Sequence, residues 1–155
     1  MRIVDLLDPK CVLSDMKAGD KRGVLGELVS TLVPGPDGLN FDKVMEVLLE
    51  RERLGSTGIG DSIAFPHGKL AELHRLVLAF GRSKKGVDFD SMDGKPTHLF
   101  FLLLAPANAA GLHLKALAKI SRMLKNQAFQ EGLVKASGTE EIYRLIFAQD
   151  EELQV

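Results

Sequence analysis

The residue with the clearest chemical potential is His67, which stands between Pro66 and Gly68 directly after the apolar triplet 63–65. Neutral imidazole has a free nitrogen lone pair near pH 7, so a histidine can act as a nucleophile toward phosphorus. The preceding proline restricts the backbone and thereby helps to fix the direction of the ring. The pattern predicts an oriented histidine nucleophile.

Groups suited to binding a phosphate flank this histidine in the sequence. Arg51 supplies a planar guanidinium that matches phosphate oxygens, and the glycines between Gly55 and Gly60 allow backbone N–H groups to approach closely. The hydroxyls of Ser56 and Thr57 and the backbone amide of Gly68 are further candidate donors. Phosphoryl transfer needs mainly positioning and charge stabilisation, so these residues predict a phosphate site around the histidine.

Other interpretations of the segment fit its spacing less well. The glycines match neither G-x-G-x-x-G nor a phosphate loop followed by lysine, and they follow a predicted helix rather than a strand. A metal site built from His67, His113 and Asp61 lacks the short histidine spacings of known motifs. We therefore predict no metal and no other cofactor. Singly, each residue also has an ordinary interpretation: a structural histidine, an arginine paired with a neighbouring glutamate, or loop hydroxyls.

Two amphipathic helices are predicted before the glycines. The first begins near Asp20 and has apolar residues at positions 24, 25, 28, 29 and 32. The second begins after Asn40, a suitable N-cap, and Gly55 is placed to end it. A loop rich in proline and glycine at 34–38 separates them. Arg51 is therefore expected in the last turn of a helix that leads into the glycine-rich segment.

Strands are predicted in the middle of the chain. The first covers 76–80 and is expected to end at Gly81, and the second covers 86–89. Asp93-Gly94 predicts a turn before a third strand at 99–104, whose continuous apolar sequence is typical of a central strand covered on both faces.

Helices are predicted again after the strands. One runs from His113 to Leu124, another surrounds 129–134, and Thr139 is the expected N-cap of a last one. The apolar face of the first of these is predicted from residues Leu114, Leu117, Ile120, Ser121 and Leu124. This order predicts an α/β fold: a single layered domain over residues 1–155, with a mixed β-sheet flanked by helices.

Composition excludes several classes of protein. The chain has 155 residues, 45% of them hydrophobic, and a net charge of −1, which argues against electrostatic binding to nucleic acid. Its single cysteine, Cys11, cannot form an intramolecular disulfide and is expected to be buried. The longest apolar run, 99–106, is shorter than the ~20 residues that span a bilayer. With no signal-peptide pattern, we expect a cytoplasmic protein without membrane insertion.

The segment from Arg51 to Lys69 resembles the phosphorylation-site signature of enzyme IIA of the bacterial phosphotransferase system, in its fructose/mannitol class. The run from Gly55 to Gly60 is most similar to the nitrogen-regulatory branch. A weaker match begins at His113, where the family has a second histidine at the start of a helix. Phe65 departs from the family pattern, in which isoleucine or valine is more usual, but it keeps the apolar character.

The resemblance implies a role for each matching residue. His67 is the expected phosphoacceptor, phosphorylated on Nε2 by a phosphohistidine of an HPr-type carrier protein, with a nitrogen-type carrier favoured. Arg51 is expected to support the phosphorylated ring, and His113 to be its partner histidine.

Two outputs are open at this stage. In one, the chain passes the phosphoryl group onward as a phosphocarrier. In the other, it is a regulatory module whose binding to target proteins is switched by phosphorylation, which adds about two negative charges. The sequence contains no IIB or IIC segment, and this favours a regulatory or stand-alone role.

Overall fold

A computed structural model of the protein describes residues 1–153. A short 3₁₀ turn at Ile3–Asp5 precedes the main elements, and none of the helices within the described residues has the length and apolarity needed to span a membrane. In chain order the elements are β1 (Leu7–Leu13), α1 (Lys21–Leu32), α2 (Phe41–Arg53), β2 (Gly58–Gly60), β3 (Ile63–Ala64), β4 (His67–Leu70), β5 (Val77–Val87), β6 (Thr97–Pro106), α3 (Ala110–Leu124), α4 (Gln127–Lys135) and α5 (Thr139–Glu152).

The strands form a mixed sheet in the order β1-β5-β6-β3-β2, with β4 also paired to β6. β5 is antiparallel to β6, whereas β3 and β4 both run parallel to it. β1 is parallel to β5, and β2 is antiparallel to β3. β6 is the central strand, and its side chains from Leu99 to Ala105 are at most 1% exposed. This confirms the predicted α/β fold with a mixed sheet and a doubly covered central strand.

Helices cover both faces of this sheet, as alternate residues of β5 show. A Cβ at Gly81 would lie 3.0 Å from Leu28 Cδ2 of α1. The next residue, Arg82, points to the opposite face, where its guanidinium donates to the carbonyls of Leu133 and Ala136 at the end of α4. α1 and α2 therefore pack on one face, and α3, α4 and α5 lie on the other.

The structure confirms the predicted N-termini of the two helices that precede the glycine-rich segment. The Asp20 carboxylate accepts from the N–H of Gly23 at 2.8 Å, and Asn40 Oδ1 accepts from the N–H of Lys43 at 3.0 Å. Each cap satisfies a backbone donor that has no partner inside its helix. Cys11 is buried as expected, and its thiol donates to the carbonyl of Thr31 at 3.3 Å.

The sequence pattern predicts no strand at β2, β3 or β4, and the remaining strands differ from the prediction in three places. Sequence patterning missed β1, an edge strand whose exposed residues include Pro9. The expected end at Gly81 is wrong, since β5 continues to Val87. The glycine instead makes room for Met16 Sδ, which would clash with a Cβ at this position. The separate strand at 86–89 is also wrong, since its first two residues belong to β5.

Two helix starts were also misplaced. α3 begins at Ala110 rather than His113, so this histidine lies in the first turn with its side chain buried. The buried face of α3 is formed by His113, Ala116, Lys119, Ile120, Met123 and Leu124, whereas Leu114 and Ser121 are exposed. In α5 the N-cap is Gly138, and Thr139 is the first helical residue.

Candidate functional site

His67 is positioned by an interruption in the strand beside β6. β3 and β4 follow the same edge of β6, and Phe65-Pro66 lies between them. The carbonyl of Pro66 accepts from the N–H of Leu103 at 3.0 Å, whereas the N–H of Phe65 turns away and donates to the carbonyl of Thr57 at 2.9 Å. This turn leaves the Phe65 carbonyl free to meet the imidazole, whose Nδ1 lies 2.8 Å away.

That hydrogen bond determines which ring nitrogen of His67 carries the proton in the neutral imidazole. A carbonyl oxygen can only accept, so in the neutral ring the proton resides on Nδ1. Nε2 then keeps the free lone pair. The side chain is half-buried, so the ring is held on one side and open on the other.

His113 lies beside this ring, at the start of α3. The two ring centroids are 5.5 Å apart at an interplanar angle of 67°. His113 is 5% exposed, and its Nε2 is a buried atom without a hydrogen-bond partner among residues 1–153. Burial lowers the pKa of His113, and the neighbouring His67 and Lys69 lower it further. The second imidazole is therefore neutral at pH 7 and has an unused polar atom.

A cleft of about 560 Å³ gives access to both rings. Its charged residues are Arg51, Lys69 and Glu50, and its apolar residues include Leu54 and Leu114, which are 81% and 67% exposed. Lys69 follows His67 by two positions in β4, so both side chains lie on the same face of the strand. The cleft thus combines two cations with an exposed apolar rim, which we define as Val47, Leu54, Leu114 and Leu117.

Arg51 lines this cleft from the last turn of α2. Its Nη1 donates to the carbonyl of Gly55 at 2.9 Å. The neighbouring glutamates have other partners: Glu50 contacts Arg53, and Glu52 binds Lys21 and Thr57. The guanidinium is therefore held by a hydrogen bond from one of its nitrogens while it lines the cleft.

The structure does not bring Ser56 and Thr57 to the cleft. Ser56 Oγ donates to the carbonyl of Phe89 at 2.6 Å, and Thr57 is buried with its hydroxyl bound to Glu52. Part of the glycine-rich segment forms a strand, β2, in a hairpin with β3. Gly68 does line the cleft, and the lack of a side chain there allows α2 to approach, since a Cβ would lie 2.8 Å from Val47 Cγ1.

Of the three residues of the alternative metal site, Asp61 does not line the cleft that holds the two histidines. Asp61 lies at the turn of the β2–β3 hairpin with a φ of 54°, and it lines a different cavity, together with Ile59 and Ser121. Within the described part of the chain, no group of three or more His, Cys, Asp or Glu side chains is arranged to hold a metal ion.

Sequence reasoning missed two features of the site. Lys69 was not singled out, although the two-residue repeat of a strand after His67 would have placed it on the same face. Leu114 was assigned to the core, whereas it is exposed at the cleft. Helical periodicity gives the spacing of an apolar stripe but not which of two adjacent stripes is buried.

The chain is similar to known proteins along most of its length. The sequence profile of the family "Phosphoenolpyruvate-dependent sugar phosphotransferase system, EIIA 2" matches residues 5–149. The chain is 42% identical over 146 residues to a nitrogen regulatory protein of Bradyrhizobium diazoefficiens, covering 94% of this chain and 95% of that protein.

Two solved structures are also similar. The nitrogen regulatory protein IIA-Ntr of Neisseria meningitidis superposes with a TM-score of 0.87 at 36% identity, covering 93% of this chain and 98% of that one. The IIA mannitol enzyme of Escherichia coli, solved in complex with phosphorylated IIB mannitol enzyme, has a TM-score of 0.76 at 21% identity, covering 92% and 99%. At this identity the second likeness concerns the fold.

Proposed function

Because the chain belongs to the EIIA 2 family of the phosphoenolpyruvate-dependent sugar phosphotransferase system, we propose that it carries its phosphoryl group on Nε2 of His67. The observation that supports this assignment best is the hydrogen bond from Nδ1 to the carbonyl of Phe65 at 2.8 Å. It leaves the Nε2 lone pair free on a ring that lines an open cleft. The donor is a phosphohistidine on a small HPr-type carrier protein.

The transfer balances without a change in protonation of the acceptor nitrogen. As the bond from Nε2 to phosphorus forms, the bond from phosphorus to the donor nitrogen breaks, and the donor imidazole regains its lone pair. The proton stays on Nδ1 throughout, hydrogen-bonded to the carbonyl oxygen of Phe65. Because both partners are imidazoles, the protein has mainly to position them and to stabilise the charge on the equatorial oxygens.

Three residues of the cleft are suited to that stabilisation. The guanidinium of Arg51 and the ammonium of Lys69 provide positive charge beside His67. Neutral His113 has an unpaired buried nitrogen, Nε2, that becomes a donor when the ring carries its proton there. A donor placed in advance at the developing charge lowers the barrier without reorganisation.

The apolar rim of the cleft favours a protein as the phosphoryl donor. Leu54 and Leu114 expose most of their surface next to the acceptor ring. Exposed apolar residues grouped around a functional atom are typical of protein interaction sites. A carrier protein that covers this rim would bring its phosphohistidine to His67 and exclude water from the transfer.

The output of the phosphorylated protein is proposed to be regulatory. The relatives that favour this are the nitrogen regulatory proteins, at 42% and 36% identity. In this scheme the two added negative charges at His67 change how target proteins bind the rim. Onward transfer to a IIB acceptor is the second candidate, because the mannitol enzyme of similar fold was solved with such a partner.

A phosphate-acceptor assay tests the site and the donor together. The wild-type chain is incubated separately with phosphorylated HPr of the sugar type and of the nitrogen type, and should gain one acid-labile, base-stable phosphate, faster from the nitrogen-type carrier. His67→Gln should abolish the gain. The matched control is His74→Gln, because His74 is an exposed histidine outside the cleft and its loss should leave acceptance unchanged. Phosphate on the His67→Gln variant would refute the assignment.

A second measurement separates regulation from onward transfer. The phosphorylated protein is mixed with a purified IIB mannitol or fructose protein, and the phosphate is followed over time. Retention of the phosphate on the chain agrees with the regulatory output, whereas rapid loss to IIB establishes the second candidate.

A further inference from the structure

We propose that Glu52 is a positioning residue that fixes the tautomer and direction of the His67 ring through Thr57 and the Phe65 peptide. The inference rests on the proposed role of His67 and adds a residue that does not line the cleft. It also explains why a carboxylate next to Arg51 turns away from that arginine.

The carboxylate of Glu52 is buried and fully engaged. Its side chain is 5% exposed, and its Oε1 accepts from the N–H of Thr57 at 3.1 Å and from Lys21 Nζ at 3.0 Å. Its Oε2 accepts from the hydroxyl of Thr57. A buried carboxylate is costly unless such partners satisfy it, so these contacts hold Thr57 firmly.

Thr57 passes this constraint to the acceptor histidine. The carbonyl of Thr57 accepts from the N–H of Phe65 at 2.9 Å. The carbonyl of the same Phe65 residue accepts from His67 Nδ1 at 2.8 Å. A series of hydrogen bonds, joined through the backbones of Thr57 and Phe65, therefore links Glu52 to the nitrogen whose proton determines the nucleophile.

The same carboxylate also sets the position of the cation beside the ring. Glu52 lies in the last turn of α2, next to Arg51, so its bond to Thr57 joins the end of this helix to the strand region that holds Phe65. Lys21 extends the anchor, since its Nζ lies 3.2 Å from Asp90 Oδ2 and 4.7 Å from the centre of the Phe89 ring. One group thus fixes the guanidinium and the imidazole relative to each other.

Removal of this anchor should loosen the ring without removing any group from the cleft. In Glu52→Ala the Phe65 carbonyl loses its fixed direction, and the proton of His67 is free to occupy either nitrogen. Only the fraction with a free Nε2 can accept phosphate, and it does so with a less well placed ring. We expect phosphotransfer to slow by about 10- to 100-fold.

The decisive readout is the tautomer, measured by ¹⁵N chemical shifts of the His67 ring nitrogens above pH 7.5. The wild-type ring should show a protonated Nδ1 and a bare Nε2, and Glu52→Ala should show averaged shifts. Glu52→Gln should keep the wild-type signature, because the amide can accept from the Thr57 N–H and donate to its hydroxyl. Thr57→Val, which loses only the hydroxyl contact, should move the shifts in the same direction by less, and Thr57→Ser should restore them.

A stability-matched variant separates positioning from general destabilisation. Ile142→Ala removes a fully buried side chain of α5, away from the cleft, and should lower stability while leaving the His67 shifts and the transfer rate of the folded protein unchanged. Wild-type shifts in both Glu52→Ala and Thr57→Val would overturn the proposal. Should Glu52→Ala fail to fold, wild-type shifts in Thr57→Val alone would do so.

The two proposals can fail independently. The nitrogen shifts are measured without any phosphoryl donor. Altered shifts in Glu52→Ala would support the positioning role even if the wild-type chain accepted no phosphate. Unaltered shifts in an active protein would remove the role of Glu52 and leave the phosphocarrier intact.

Discussion

α3 carries two buried ionisable side chains, Lys119 and His113, that differ in whether their polar atoms have hydrogen-bond partners. Lys119, 6% exposed, lies 2.5 Å from Asp150 Oδ1 and donates to the carbonyl of Met1 at 2.8 Å. His113, 5% exposed, has an Nε2 without a hydrogen-bond partner within residues 1–153. The same helix thus has a satisfied polar cluster in its middle and an unsatisfied atom in its first turn, at the cleft.

The difference indicates what each region is for. The lysine cluster ties the N-terminal segment to α3 and α5, since Asp150 also accepts from the N–H of Val4 at 3.0 Å. Burial alone would raise the pKa of Asp150, but the hydrogen bonds from Lys119 and from the backbone outweigh it and lower the pKa. At His113 the desolvation is not compensated in this way, and its pKa falls. We infer that the first region holds the fold and that the second keeps a polar atom available.

The largest expected effect comes from breaking the satisfied cluster. Asp150→Ala leaves the Lys119 ammonium buried without its counter-ion, which should cost about 3–5 kcal/mol of unfolding free energy. Urea unfolding measures the loss. Phosphate acceptance by the folded fraction should not change, because neither residue lines the cleft. The double variant Lys119→Met with Asp150→Leu is the control and should lose much less stability. If phosphate acceptance by folded Asp150→Ala fell as far as in a His113 variant, the Lys119–Asp150 cluster would not be purely structural.

The next largest effect is expected for His113, where a substitution should lower the rate of phosphotransfer but not the stability. His113→Leu keeps a side chain of similar bulk and removes the unsatisfied nitrogen, so stability should stay constant or rise by about 1 kcal/mol. Phosphotransfer should fall on the order of 100-fold, as expected for the loss of a placed donor. Rapid-quench transfer from a phosphorylated carrier and urea unfolding give the two numbers. An unchanged rate would mean that His113 is only a packed side chain.

The smallest effect is the pH dependence of stability that His113 contributes. The pKa of this group is lowered in the folded state by burial and then by His67 and Lys69, whereas in the unfolded chain it has the ordinary value of about 6.5. The unfolded state therefore binds more protons as the pH falls below that value, and stability falls with it. Urea midpoints at pH 7.5 and 5.5 should differ more in the wild type than in His113→Leu. If the urea midpoint changed equally with pH in the two proteins, His113 would contribute nothing to the pH dependence of stability.

Much of the fold was predictable because the signals are local. The caps at Asp20 and Asn40 and the central strand at 99–104 follow from residue type and periodicity, which act over a few residues. β1 escaped prediction because it is stabilised by pairing with β5, far along the chain, rather than by its own pattern. The start of α3 escaped prediction for a different reason: its N-cap residue, Ala109, has no side chain that could cap the helix.

The sequence by itself determined the chemistry of the candidate site. It identified a histidine held by a proline, an arginine at a helix end and a second histidine, and the structure brings Arg51, His67 and His113 to one cleft. Pro66 adjoins His67, and Arg51 lies at the end of a helix that residue periodicity predicts, so these two follow from local sequence, whereas the role of His113 followed from the resemblance to a known family.

Only the tertiary structure decided how those groups are used. It turned Ser56 and Thr57 away from the cleft and set the tautomer of His67 through the Phe65 carbonyl. It also left Nε2 of His113 without a hydrogen-bond partner among residues 1–153. Each outcome depends on which backbone groups are already satisfied once the strands are in register, and on which helix covers them. That balance of hydrogen bonds belongs to the whole fold, because a buried donor or acceptor is free only when every competing partner is occupied.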